Sequence, residues 1–301
     1  MTHDRLAPVT LLDGGTGREL KRIGAPFRQP EWSALALIEA PAYVACVHRS
    51  YVDAGADVIT TNTYALVPFH IGKDRFAAHG HTWAALAGSL AREVADAAPH
   101  PVLVAGSLPP ACGSYRPDLV DIGRARPILA TLVSALTPLV DHWLAETLSS
   151  LSEAELVGEL TAATGKPLWL SFTLDDTHPG AVAQLRSGEP VADAAALAHA
   201  MGAAAILFNC SQPEVMADAV RAARAGCDLP IGVYANAFPP QPEAAEANST
   251  LLDIRADLDP AGYADFAQSW RDAGATILGG CCGIGPDHIA ALRAQRERVN
   301  G

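Results

Sequence analysis

The chain has 301 residues, half of them apolar, enough for one α/β barrel of the usual size of about 250 residues. Its 21 Lys and Arg against 33 Asp and Glu leave a formal net charge of -12, which repels phosphate backbones and anionic lipid surfaces and so excludes nucleic acid and membrane as expected partners. The opening MTHDRLAPVT lacks the basic and apolar regions of a leader, and no stretch approaches the roughly 18 apolar residues of a membrane span, so a cytoplasmic protein of one domain over residues 1–301 is expected.

Short apolar runs, each followed by a stretch of helical period, recur along the chain. The predicted strands are Val9 to Asp13, Asp57 to Thr61, Val102 to Ser107, Leu139 to Glu146, Leu168 to Thr173, Ala205 to Asn209, Ile231 to Asn236 and Thr276 to Gly279. The predicted helices cover residues 33–54, 83–97, 124–136, 152–164, 191–201, 214–225, 260–273 and 286–297. Ser152 with Glu155 reads as a capping box, and Asp259 before Pro260 as a helix start. Repeated βα units with strands apolar on both faces predict an α/β fold, a single (β/α)8 TIM barrel. Long Gly/Pro-rich connections at 64–80, 108–122, 174–189 and 237–257 follow strands, and in a barrel such loops form the active face.

Six cysteines without a secretory signal do not resemble a disulfide framework. Cys281 and Cys282 stand between glycines directly after the last strand, where a sharp turn aims both sulfurs at one point. Cys210 ends the sixth strand on the same rim. Three thiolates fill three corners of a zinc tetrahedron and leave the fourth open, the arrangement of a catalytic site. Taken alone, Cys210 reads better as a small buried residue. Cys46 and Cys227 lie within helical apolar patterns and read as structural, as does Cys112 in its Pro-rich loop.

Leu12-Asp-Gly-Gly-Thr-Gly, Thr60-Thr-Asn-Thr-Tyr, Gly106-Ser-Leu-Pro-Pro, Glu146-Thr, Asn209-Cys210 and Gly279-Gly-Cys-Cys-Gly together resemble the homocysteine S-methyltransferase family over residues 8–296. The first of these lacks the spacing of a nucleotide loop, because Leu20 stands where the last glycine belongs. The resemblance implies a (β/α)8 barrel in which Cys210, Cys281 and Cys282 bind Zn2+. It also implies that Asp13 and Glu146 meet the amino-acid end of homocysteine, where carboxylates pair with the ammonium group. Backbone amides of Gly14, Gly15 and Thr16 are expected to take the substrate carboxylate at a helix start. Asn62, Thr63 and Asn236 also end strands and are expected to face the cavity.

A thiol is only a few per cent thiolate at neutral pH, and zinc coordination removes its proton. The expected reaction is transfer of a methyl group from a small donor, a sulfonium such as S-methylmethionine first, to the thiol of homocysteine. Tyr64, Trp143 and Phe238 are candidate rim aromatics for a methylated cation. This length holds no cobalamin module, so a cobalamin-dependent methionine synthase is not expected. A betaine-type donor, another thiol or selenol acceptor, and a non-catalytic zinc-binding barrel are the alternatives.

Overall fold

A computed structural model describes residues 9–177, 182–239 and 254–300. Eight strands form one parallel sheet: β1 (Thr10–Leu11), β2 (Val58–Thr60), β3 (Leu103–Leu108), β4 (His142–Leu148), β5 (Leu168–Phe172), β6 (Ala205–Asn209), β7 (Ile231–Tyr234) and β8 (Ile277–Leu278). From β2 to β8 each strand pairs with the next in sequence, and β8 pairs with β1. A parallel bridge between Leu12 and Val58 joins the two ends, with the Asp13 amide donating to the Val58 carbonyl at 3.0 Å. The ring is thereby the predicted (β/α)8 barrel, and every predicted strand is present within a few residues.

Two apolar layers hold it. Leu12, Val58, Ala105, Leu144, Ala205, Leu207, Tyr234 and Ile277 fill the lumen, with Trp169 packed against them, so every strand or its immediate extension contributes. The alternate residues face outward and meet the helices in a much larger core. Trp143 belongs to this outer layer. It is fully buried and donates from Nε1 to Thr164 Oγ1 at 2.9 Å, so it does not line the rim as expected from its place near a strand end.

The helical pattern holds with three corrections. The run expected as one helix over 33–54 is two, α2 (Ser33–Glu39) and α3 (Pro41–Ala54), because Pro41 has no amide to continue the first. The segment expected as a loop over 64–80 contains α4 (Pro68–Ile71) and the start of α5 (Lys73–Asp96), whose polar first turns hide its period. A seven-residue helix, α1 (Thr16–Arg22), was too short to show one. In α7 (Leu151–Ala162) the capping box uses Ser150 and Glu153, two residues before the expected pair, while the predicted Asp259 cap of α10 (Pro260–Ala273) is formed. Cys46 is exposed on α3, Cys227 is buried, and the Cys112 thiol donates to the Asp121 carbonyl at 3.6 Å. Most of the 237–257 connection lies outside the described residues. Among the described residues no helix is long and apolar enough to cross a membrane.

Candidate active site

Side chains two apart on a strand share a face, so the lumen residues predict what sits above them at the C-terminal rim. Two residues beyond Val58, Ala105, Leu144, Trp169, Leu207 and Tyr234 come Thr60, Ser107, Glu146, Ser171, Asn209 and Asn236. The apolar lumen thus gives way to a polar floor in a single step along every one of these strands.

Above that floor the cysteines converge. The sulfurs of Cys210, Cys281 and Cys282 all lie within 4.8 Å of one another. Cys210 and Cys281 are joined as a disulfide with a Cα–Cα distance of 5.7 Å, leaving Cys282 as the free thiol. Three free thiolates are therefore not what the structure holds. The closeness that three ligands to one ion require also brings two sulfurs within bonding range. Burial pushes the Cys282 thiol up to about 11, opposed by the nearby Arg18 cation.

The two cysteine segments are held from behind. Cys210 adopts φ 51°, a left-handed conformation uncommon outside glycine, and its amide donates to the Tyr234 carbonyl at 3.3 Å. The amides of Cys281 and Ala237 bond across to Ala235 and Cys282 at 2.9 Å each. Gly15 permits β1 to pack on this turn, since a Cβ there would lie 2.5 Å from the Cys281 carbonyl oxygen. The Tyr263 hydroxyl donates to the Gly279 carbonyl at 2.7 Å.

Asp13 and Glu146 are the two carboxyls of the site. Asp13 is 5 % exposed and accepts from the Thr60 amide at 2.7 Å and the Thr60 hydroxyl at 3.0 Å. Glu146 accepts a short hydrogen bond from Ser107 Oγ. Burial pushes each of them up to about 7, and the two repel one another enough to raise Asp13 further. Glu146 sits where the β4–β5 register shifts, and Thr147 beside it is held at φ 60°. Asn209 clamps this bulge: Oδ1 accepts from the Thr147 amide at 2.9 Å and Nδ2 donates to Thr147 Oγ1 at 2.8 Å.

Other expected contacts are spent internally. Asn62 Nδ2 donates to the Ser33 carbonyl at 3.1 Å, and Thr63, fully buried, donates to the Ser107 carbonyl at 2.8 Å. These two residues brace the rim instead of presenting those groups to the cavity. The Gly15 amide donates to the Ile284 carbonyl at 2.9 Å and is likewise unavailable. Asn236 is fully buried, its Oδ1 accepting from the Phe238 amide at 3.2 Å and its Nδ2 without a partner among the described residues. Phe238 carries the Arg18 guanidinium over its ring at 4.9 Å. Tyr64 shares a 2.6 Å hydrogen bond with Ser114 and lies near Glu146 and Cys282.

Three participants had no sequence signal of their own. Ser107 stands inside the Gly106-Ser-Leu-Pro-Pro motif, but its link to Glu146 needs β3 beside β4. Tyr115, in electrostatic reach of Tyr64 and Cys282, and Arg186, paired with Asp176, lie in rim loops without period or motif.

A parallel barrel whose catalytic rim gathers three cysteine sulfurs and two protonatable carboxyls is the framework of an enzyme for sulfur chemistry. The family model described as Homocysteine S-methyltransferase matches residues 10–296. The Homocysteine S-methyltransferase of Escherichia coli (strain K12) is 35% identical, over 95% of this chain and 95% of its own. Homocysteine S-methyltransferase 4 of Zea mays is 30% identical over 95% of this chain and 89% of its own. The crystal structure of the metallated form of the homocysteine methyltransferase MmuM from Escherichia coli superposes with TM-score 0.78 at 31% identity, covering 96% of each chain. The chain belongs to the homocysteine S-methyltransferase family. It is accordingly an enzyme of methyl transfer to homocysteine.

Proposed function

We propose that the enzyme uses zinc held by Cys210, Cys281 and Cys282 and takes its methyl group from a small sulfonium, S-methylmethionine. The carrying observation is the convergence of three sulfurs within 4.8 Å on a rim shared with Asp13 and Glu146. With Zn–S bonds of about 2.3 Å, the corners of a zinc tetrahedron lie about 3.8 Å apart, so three reduced cysteines at these positions suit the ion. When bound, zinc supplies a Lewis acid that favours the thiolate form of a thiol entering its fourth position. The metallated state of the Escherichia coli relative supports this reading.

Asp13 and Glu146 hold the substrate ammonium. Both carboxyls, raised to about 7, ionise as that cation arrives. The amides of Gly14 and Thr16 remain for its carboxylate, and the unspent Nδ2 of Asn236 is a further donor at this rim. Tyr64 and Tyr115 offer ring faces to the onium methyl groups. In the transfer, the homocysteine sulfur forms a bond to the methyl carbon. The bond from that carbon to the donor sulfur breaks, and its electron pair stays on the departing thioether. S-methylmethionine and homocysteine thus give two molecules of methionine and release the thiol proton.

The test is zinc content by elemental analysis of reduced protein and of Cys281→Ser, with methionine formation from homocysteine plus S-methylmethionine on the same samples. About one zinc per chain and turnover, both lost in the variant, are expected. A metal-free protein of full activity overturns the zinc reading, and turnover with betaine but not S-methylmethionine overturns the donor.

A further inference from the structure

Arg186 lies in the hairpin that follows β5, where Leu174 bridges Leu185 and the Arg186 amide donates to the Thr173 carbonyl at 3.0 Å. Its side chain is 6 % exposed. One guanidinium nitrogen, Nη1, reaches Asp176 Oδ1 at 3.3 Å, and Asp176 in turn accepts from the Gln212 amide at 3.1 Å, two residues past Cys210. Nε and Nη2 are buried with no hydrogen-bond partner among the described residues.

Those two nitrogens form the edge of the guanidinium that grips a carboxylate with both oxygens. The chain uses this edge in that way elsewhere. Arg22 holds Glu19 at 2.8 and 2.6 Å, and Arg28 holds Glu31 at 3.1 and 2.7 Å. Arg255 holds Asp257 at 3.1 and 2.6 Å. Each of those pairs reaches solvent, whereas the edge of Arg186 is buried and unspent. A buried cation with two unsatisfied donors is costly, and a ligand carboxylate satisfies both at once. Asp176 does not do so: it engages only Nη1, and burial raises its own carboxyl.

The position selects the ligand. The Arg186 guanidinium lies over the Tyr115 ring at 5.4 Å. The Tyr115 hydroxyl is in electrostatic reach of Tyr64, Cys282 and Arg186 together, so the guanidinium and the cysteine cluster share one neighbourhood of the rim. In a ring of eight strands, β5 stands opposite β1, whose extension carries Asp13 and Gly14. A homocysteine bound at Asp13 and Glu146 has its ammonium met there, which leaves the buried, unspent edge of Arg186 to the second substrate.

We propose that Arg186 anchors the carboxylate of the methyl donor, making the donor a small molecule that bears a carboxylate as well as its onium centre. This rests on the functional reading above, in that homocysteine occupies the Asp13 side. The guanidinium fixes one end of the donor while its onium end lies over Tyr115 toward the cysteines. Recognition therefore selects amino-acid-like donors against simple alkyl sulfoniums.

Calorimetric binding to the zinc-loaded, reduced protein tests it without turnover, using S-methylmethionine, trimethylsulfonium and homocysteine as separate titrants. Arg186→Gln is expected to weaken S-methylmethionine by about 10- to 150-fold, the span of hydrogen bonds to charged groups. Trimethylsulfonium and homocysteine should bind as before, and Arg186→Lys, which keeps the charge but loses the fork, should fall between. Unchanged homocysteine binding also shows that the variants are folded. Equal losses for S-methylmethionine and trimethylsulfonium, or a loss confined to homocysteine, overturn the proposal. The donor reading itself is judged separately, by whether the unsubstituted enzyme turns over S-methylmethionine.

Discussion

Replacing Asn209 with alanine removes a fully buried amide that holds two strand ends together. Its Oδ1 accepts from the Thr147 amide at 2.9 Å and from Ser171 Oγ at 2.8 Å, and its Nδ2 donates to Thr147 Oγ1 at 2.8 Å. Without it the Thr147 amide loses its acceptor in a buried setting, a cost of about 1–3 kcal/mol, and the two hydroxyl bonds add about 1 kcal/mol each. Against this, Thr147 held at φ 60° stores strain of about 1–2 kcal/mol, which the variant releases. The balance is a loss of about 3 kcal/mol. With an unfolding entropy of about 2.1 cal/mol/K per residue, over 301 residues that lowers Tm by about 5 °C. Relief of the strain also lets the chain rotate at Thr147, carrying Glu146 away from Ser107. The KM for homocysteine should then rise about tenfold, one charged contact being worth roughly that factor, with a smaller change in kcat. Thermal melts and initial rates on the reduced, zinc-loaded protein read both effects. An unchanged Tm, or a lower Tm with an unchanged KM, refutes the claim that Asn209 positions Glu146.

Two further predictions separate the catalytic rim from the opposite face. Asp13 and Glu146 rise from 3.8 and 4.5 to about 7 in the folded protein, so the folded state holds more protons than the unfolded one between those values. Their contribution therefore favours folding below about pH 4 and declines as the pH climbs through about 7. The substrate ammonium reverses the shift, so homocysteine binding at about pH 6 should release protons, seen in calorimetry as heats that differ between buffers of unlike ionisation enthalpy. Identical heats count against these carboxyls as the ammonium site. At the N-terminal face, Asp57 Oδ2 accepts from the Leu11 amide at 2.8 Å and from Arg296 Nη1 in a short contact, where it closes the barrel. Asp57→Asn should lower stability by about 2 kcal/mol and leave both KM values unaltered; a selective rise in KM contradicts a purely structural role.

Much of the site was legible from residue types. Cys281 and Cys282 between glycines, with Cys210 ending another strand, identify the cluster because few other arrangements place three sulfurs at one end of a barrel. Asp13 and Glu146 stood at strand ends and lie there in the structure, bonded to Thr60 and Ser107. Asn62, Thr63 and Gly15 stood equally well in sequence, yet their polar groups bond to Ser33, Ser107 and Ile284. Trp143 lies one residue from the inward-facing Leu144, and that single step of the pleat turned it outward. Cys46 missed for a similar reason, as its helical position points to solvent.

The sequence by itself determined the eight βα units, the barrel and the cysteine positions, because those follow from period, turn residues and chemistry local to each segment. Only the tertiary structure decided which polar atoms remain unspent. Hydrogen-bond partners such as Ser107 for Glu146, Asn209 for Thr147 and Asp176 for Arg186 lie 39, 62 and 10 residues apart. Such pairings depend on which strands become neighbours and which side chains they bury. The two raised carboxyls have the same origin, since burial in the assembled rim is a property of the whole barrel and of no segment within it.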